Sequence, residues 1–207
     1  MRIAREGWPY ISIPAVAALV LLVSGWPRSG AIVLALSLFC AFFFRDPERV
    51  VPQESSLVVS PADGRIVGLA PATQGPLGPA GTQISIFLSI FNVHVNRAPI
   101  SGRIERVDYS PGGFLPAFDD KASLQNEQNC IVVADGATRV AFKQIAGLIA
   151  RRIVFRKRVD ENVARGERVG LIKFGSRVDV FLPEGARLRV KRGDRVRGGS
   201  SILAELP

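Results

Sequence analysis

The chain has 207 residues, enough for one domain and an appendage. Hydrophobic residues make up 47% and the mean hydropathy is +0.22, so a membrane segment fits better than an ordinary soluble composition. The net charge of +9 leaves three partner classes: nucleic acid, an anionic membrane face or an acidic substrate. Two cysteines, Cys40 and Cys130, offer neither a disulfide framework nor a zinc site, and no metal is expected. His94 is the one histidine, so any mechanism that needs imidazole must use it.

Apolar runs occupy 8–26 and 29–44, with Pro27 and Arg28 between them. At about 1.5 Å per residue the first just spans a hydrocarbon core and the second falls short. The expectation is an N-terminal α-helical membrane hairpin over 1–45. Arg2, Arg5, Arg45 and Arg49 outnumber Arg28, which puts both ends on the cytoplasmic side. A signal peptide followed by a buried helix is the competing reading, weakened by the second apolar run and the lack of a small-residue cleavage site.

Arg45-Asp46-Pro47-Glu48-Arg49 changes abruptly to charge, so the second domain is expected over 46–207. It reads as many short β segments: Gly64–Leu69, Gln83–Leu88, Gly102–Tyr109, Gln128–Ala134, Arg152–Val159 and Ser176–Leu182. The expected fold is mainly β, a barrel- or sandwich-like domain. Arg165-Gly166-Glu167-Arg168-Val169 recurs as Arg192-Gly193-Asp194-Arg195-Val196, the grammar of lipoyl-like hairpins. Pro111 to Phe118 places Phe114, Leu115 and Phe118 in a Gly/Pro loop, where they either touch lipid chains or fold back onto the core.

In Phe91 to Pro99, alternation puts Asn92, His94 and Asn96 on one face and Phe91, Val93 and Val95 on the other. A polar row with a central imidazole suits the wall of a site. Asp63 follows Ser60-Pro61-Ala62, either as a turn residue bonding its own backbone or as the third member of an Asp-His-Ser group. Gly175-Ser176 leads into an alternating apolar strand. Gly tolerates strained backbone, and a Ser hydroxyl freed of its proton can attack the carbonyl before it, turning peptide into ester.

Phe44-Arg45-Asp46-Pro47-Glu48-Arg49, Ser60-Pro61-Ala62-Asp63-Gly64, Phe91 to Pro99, Asn126-Glu127-Gln128-Asn129 and Phe174-Gly175-Ser176-Arg177 occur in this order. Together they resemble the short form of phosphatidylserine decarboxylase, a pyruvoyl-dependent enzyme made as a self-cleaving proenzyme. The resemblance runs from the hairpin to the C-terminus. It implies serinolysis between Gly175 and Ser176, with Ser176 becoming a covalent pyruvoyl group on a small chain, 176–207. The large chain, 1–175, would stay bound to it as a heterodimer, which could itself dimerise. The pyruvoyl carbonyl would form a Schiff base with the serine amine of phosphatidylserine, and phosphatidylethanolamine would be released. Ser176 is then the pyruvoyl precursor, His94 a proton carrier and Asp63 the carboxylate of the cleavage triad, with Arg97, Asn96 and Phe114 as substrate contacts. Larger members carry two histidines three residues apart, where this chain reads His94-x-x-Arg97. Either His94 serves both steps or another group serves one. Arg97 suits a carboxylate or phosphate.

The arginine asymmetry around the hairpin places the second domain on the cytoplasmic face of the cell membrane. The basic clusters at Arg151 to Arg158 and Arg187 to Arg192 would meet anionic headgroups there. Two other classes compete with this reading. A membrane-tethered lipoyl-like carrier or adaptor lacks the lysine it would need at Phe174 to Arg177, and a Ser-dependent membrane protease would require Ser176 to keep its hydroxyl. Nucleic acid is not expected, because the basic residues are not interleaved with stacking aromatics.

Overall fold

The computed structural model describes residues 2–73, 75–113, 126–147, 152–173 and 176–207. It divides into two compact units, Met1–Glu48 and Arg49–Pro207.

In the first unit, β1 (Arg2–Ile3) precedes α1 (Trp8–Val23) and α2 (Pro27–Phe43), and β2 (Arg45–Asp46) returns to pair with β1. A Pro stands in the first turn of each helix, where its missing N–H costs nothing. The helices run antiparallel. Ser37 Oγ donates to the Ile11 carbonyl at 2.8 Å, and a Cβ on Gly30 would lie 2.7 Å from Leu22 Cγ. Outside this seam the helices are apolar and exposed, Ile13, Val23 and Ile32 each by about 70%. The helical stretch Arg5–Val23 is long and apolar enough to cross a membrane; Pro27–Phe43 is apolar and shorter.

The second unit is mainly β, with a curled half-barrel sheet. Its strands are β3 (Leu57–Val59), β4 (Gly64–Pro71), β5 (Thr82–Leu88), β6 (Val95–Arg97), β7 (Gly102–Ser110), β8 (Gln128–Asp135), β9 (Thr138–Ala146) and β10 (Ile153–Phe155). They continue as β11 (Asn162–Val163), β12 (Arg168–Ile172), β13 (Ser176–Leu182), β14 (Arg187–Leu188), β15 (Arg195–Val196) and β16 (Ile202–Glu205). Eight of them form one sheet in the order β11-β7-β8-β9-β13-β5-β4-β15. Two three-stranded sheets, β10-β12-β6 and β14-β16-β3, contribute Val58, Val169, Ile172 and Leu203 to the same core as Ile84, Ile86, Val140, Phe142, Val178 and Val180. The β segment expected over Arg152–Val159 forms a strand only over Ile153–Phe155, before the chain turns towards β11.

The eight-stranded order reads as two halves meeting at β9 and β13. In one half β4 pairs with β5 and bulges between Ile66 and Gly68. In the other β7 pairs with β8 and bulges between Ile104 and Arg106. Both bulged strands begin Gly-Arg-Ile. A Cβ on Gly64 would lie 2.3 Å from the Phe87 carbonyl oxygen, and one on Gly102 would lie 2.3 Å from that of Ala134, so both starts require glycine. The outer strands match as well: β15 pairs Arg195 with Arg65, and β11 pairs Asn162 with Arg103.

The repeated turn seen in the sequence has a third copy. Gly193, Gly166 and Asp160 all have left-handed φ, at 97°, 76° and 72°. Each is followed by an acid whose carboxylate accepts a backbone N–H three residues back: Asp194 from Lys191, Glu167 from Ala164 and Glu161 from Arg158. Each turn also exchanges two backbone hydrogen bonds with a single residue, Ile66, Ala98 or Ile104 respectively. Asp tolerates this backbone region better than most side chains, which lets the third copy do without glycine.

Candidate active site

Ser176 opens β13 and is fully buried. It pairs with Leu88 on one side and Ala146 on the other. Paired residues share a face, so its side chain lies on the core face with Val178 and Val180. Its Oγ has no hydrogen-bond partner among the described residues. A buried hydroxyl in that condition is rare and calls for an explanation. Gly175 and Phe114 lie outside the described residues.

His94 is buried and immediately precedes β6. Its Nδ1 lies 3.0 Å from the Asn92 carbonyl oxygen. A carbonyl only accepts, so Nδ1 carries the hydrogen and Nε2 of the neutral ring is the basic nitrogen. The His94 carbonyl accepts Ile172 N–H at 3.3 Å, where β6 runs against β12. Ile172 ends β12, four residues before Ser176. The same sheet end thus receives the connection into Ser176 and the connection into His94.

Asp63 stands just before β4. Continuing the β4–β5 register puts Gly64 opposite Leu88 and hence in the transverse row of Ser176, two strands or about 10 Å away. Val59 N–H bonds Pro99 O, and Arg97 N–H bonds Pro61 O. The chain leading to Asp63 therefore runs antiparallel to β6 and heads for its His94 end. The carboxylate is held by Gly198 N–H at 2.7 Å and by Arg49 at 2.7 Å.

The other half supplies an internal control for Asp63. Its counterpart is Ser101, whose Oγ accepts Arg165 N–H at 3.0 Å, as Asp63 accepts Gly198 N–H. Closing this loop needs one oxygen. The second oxygen and the charge of Asp63 are surplus to that job. Arg97 is the opposite case. Its guanidinium donates to Gly166 O at 2.9 Å, as Arg65 donates to Gly193 O at 3.0 Å, so turn closure alone accounts for that contact.

Asn96 is fully buried, and its Oδ1 accepts Gln144 Nε2–H at 2.8 Å. Gln144 Oε1 in turn accepts Asn129 Nδ2–H at 3.3 Å. Asn126 Nδ2–H reaches Ala146 O at 2.7 Å, the residue paired with Ser176. The polar end of the apolar core is therefore an amide chain across β8, β9 and β6. The alternation reading of Phe91 to Asn96 needs correcting here. Phe91 is exposed, whereas Val93, His94, Val95, Asn96 and Arg97 are all buried, because β6 is covered on both faces. Gln144 is the residue sequence reasoning missed, and its signal was a lone polar side chain in the core-facing series Val140, Phe142, Gln144, Ala146.

On the reverse face of β13, Arg177 Nε–H meets Asp179 Oδ1 at 2.7 Å and a second guanidinium N–H meets Ser85 Oγ at 2.7 Å. Gln83 Nε2–H holds Asp179 Oδ2 at 3.0 Å. Asp179 is wholly buried and fully hydrogen-bonded, so this group locks β13 to β5 directly behind Ser176. Cys130 is no rival nucleophile, since burial pushes its thiol pKa up. A groove of about 900 Å³ runs beside Asp63 and Asn92, along the outer strands β4 and β15.

The family model for phosphatidylserine decarboxylase matches residues 36–204. The phosphatidylserine decarboxylase proenzyme of Burkholderia mallei is 48% identical over 211 residues, covering 99% of this chain and 95% of the relative. The proenzyme of Paraburkholderia phymatum is 50% identical, covering 99% and 97%. That of Geotalea uraniireducens is 44% identical, again covering 99% and 97%.

Proposed function

The chain belongs to the phosphatidylserine decarboxylase family, and on that premise we propose that it converts phosphatidylserine to phosphatidylethanolamine after cutting its own backbone between Gly175 and Ser176. The observation that carries this reading is the buried Ser176 Oγ, without a partner among the described residues, at the first position of a central strand. Those features fit a residue that gives up its hydroxyl to become a pyruvoyl group.

In the cleavage step His94 Nε2 takes the Ser176 Oγ proton, and Asp63 supports the imidazolium. Oγ attacks the Gly175 carbonyl carbon, a C–O bond forms and the C–N bond breaks, leaving an ester and a free Ser176 amine. Elimination releases the Gly175 carboxylate and leaves dehydroalanine. Water then converts this to the pyruvoyl group with loss of ammonia. The 32-residue small chain contributes β13 to β16, and β13 stays hydrogen-bonded between β5 and β9 of the large chain. That supports a lasting heterodimer.

Formed from Ser176 at the head of β13, the pyruvoyl group would supply a keto carbonyl for the substrate's amine and an acceptor for the electron pair left by carbon dioxide. His94 returns a proton to the substrate Cα. Its Nδ1 bond to Asn92 O fixes the tautomer this requires. Asn96 keeps a buried Nδ2 donor with no partner among the described residues and is the proposed contact for the polar headgroup. Arg97 holds β6 in place for it, and Phe114 is the proposed contact for a lipid chain. The antiparallel hairpin, with its exposed apolar flanks, sits in the membrane with both ends on the cytoplasmic side.

The test is the mass and N-terminus of purified active protein. The expected result is a small chain beginning with a pyruvoyl group at position 176, and one uncut, inactive chain for Ser176→Ala. Active protein that is continuous through residues 175 and 176 would overturn the proposal.

A further inference from the structure

The groove beside Asp63 is lined by Arg65, Arg195 and Arg197 and by Phe91 and Asn92. Among the described residues Asp63 is its only acid, and that carboxylate already holds Arg49. Arg65 is tied to the Gly193 carbonyl. The guanidiniums of Arg195 and Arg197 form no hydrogen bond or ion pair among the described residues, and both residues are exposed. The hydroxyls of Ser200 and Ser201 border the same space. Unneutralised planar cations beside small hydroxyls match the chemistry of a phosphate.

The internal repeat separates this feature from the framework. The residue pairing Arg195↔Arg65 corresponds to Asn162↔Arg103 in the other half. By the same register Arg197 corresponds to Ala164 and Phe87 to Ala134. Arg65 has a counterpart because the turn needs it. Arg195 and Arg197 have none, so the fold does not require them. They appear only in the half that holds Ser176. The groove is also wired to the site. Asn92 lines it, the Asn92 side chain accepts both the N–H and the Oγ–H of Ser89, and the Asn92 carbonyl takes His94 Nδ1–H.

We infer that this groove binds the phosphodiester of the lipid substrate, with Arg195 and Arg197 as the residues that select it. The inference rests on the decarboxylase reading, since it assigns the headgroup phosphate to a surface next to His94 and Asp63. Placing the phosphate there leaves the serine end of the same headgroup to reach inward past Asn92.

The experiment uses the full chain with Arg195→Gln, Arg197→Gln and both together. Mass analysis of the small chain first establishes that each variant is cut. Decarboxylation is then measured on phosphatidylserine diluted to a low mole fraction in uncharged detergent micelles, where the substrate itself is the only anion at the surface. The double variant should raise KM by about 10- to 100-fold with kcat within about twofold, because two charge-assisted contacts are lost and the reacting groups are untouched. Soluble glycerophosphoserine should inhibit the parent and lose that potency in the double variant. An unchanged KM in neutral micelles, with a deficit only on anionic vesicles, would make these arginines membrane contacts and overturn the inference. Equal inhibition by inorganic phosphate, displaced by the same substitutions, would make the groove a free-anion site and also overturn it. If the parent chain is never cut, calorimetric titration of the intact precursor with glycerophosphoserine still decides. Binding that the double substitution abolishes upholds the groove, and no binding sinks it.

Discussion

The two halves of the eight-stranded sheet share their bulges, their Gly-Arg-Ile starts and their outer acidic turns, yet they end differently at one corner. In the half built from β7, β8 and β9, Asp135 and Thr138 face each other across a two-residue hairpin turn. In the other, the same corner is open. Leu88 faces Ser176, but β5 runs on towards His94 and β13 arrives from β12. Opening a hairpin freed a strand start from its turn and let two other segments converge there. The closed corner shows what the fold alone needs; whatever the open corner adds to it is available for chemistry.

The largest expected effect tests that contrast directly. Ser176→Ala should abolish cleavage and activity, whereas Thr138→Ala, at the equivalent position, should leave both intact and cost under about 1 kcal/mol in denaturant unfolding. Next comes the pairing behind each strand. The Arg177–Asp179 group is buried, and Asp179→Ala should lose about 3–5 kcal/mol by stranding a buried cation. The matching arginine, Arg139, pairs with Glu105 at the surface, so Glu105→Ala should cost less than about 1 kcal/mol. Equal losses in urea melts would erase the distinction.

Asp63→Ser converts the active half to the sequence of its counterpart. The hydroxyl can still accept Gly198 N–H, so the chain should fold, with about 1–3 kcal/mol lost from leaving Arg49 unpaired. Self-cleavage, followed on a denaturing gel, should slow by at least about 100-fold. Cleavage at the parent rate would reduce Asp63 to the loop-closing part that Ser101 plays.

The smallest effect concerns the Gly166-Glu167 turn. Burial alone would raise the Glu167 carboxyl pKa, but Lys157 and the Ala164 N–H outweigh it and hold the pKa below its ordinary value. Its stabilisation is therefore present above the usual carboxylate pKa and lost as pH falls through the lowered one. Lys157 has the opposite sign. Its hydrogen bond to Glu167 raises its pKa, so its share is present below the ordinary lysine value and lost as pH rises past the raised one. Glu167→Gln should flatten the acid arm of melting temperature against pH. Replacing Asp160 of the exposed Arg103–Asp160 pair by Asn should cost less than about 1 kcal/mol in denaturant unfolding.

Much of this was legible in the chain. The two apolar runs, the Gly and acid turns and the alternating strands follow from local rules of length, backbone freedom and side-chain period. His94 stood out as the one histidine, whereas Ser176 and Asp63 were picked out by the ordered motifs that resemble the family. Other features were silent. β6 shows no one-sided pattern because it is covered on both faces, and Asp160 hides a turn that its siblings mark with glycine. Arg195 and Arg197 looked like ordinary polar residues, and Gln144 showed only as a lone polar side chain in an apolar series.

By itself, then, the sequence determined which segments are apolar, which turn and which residues could carry a proton or an ester. Only the tertiary structure decided that Ser176 opens a central strand of the eight-stranded sheet, that Asp63 immediately precedes another strand of it, and that His94 immediately precedes a strand of a three-stranded sheet sharing the same core. It alone exposed the second half, where the same framework stands without the chemistry. The physical reason is that strand pairing joins residues as far apart as Leu88 and Ser176 through backbone hydrogen bonds, which carry no imprint of side-chain identity.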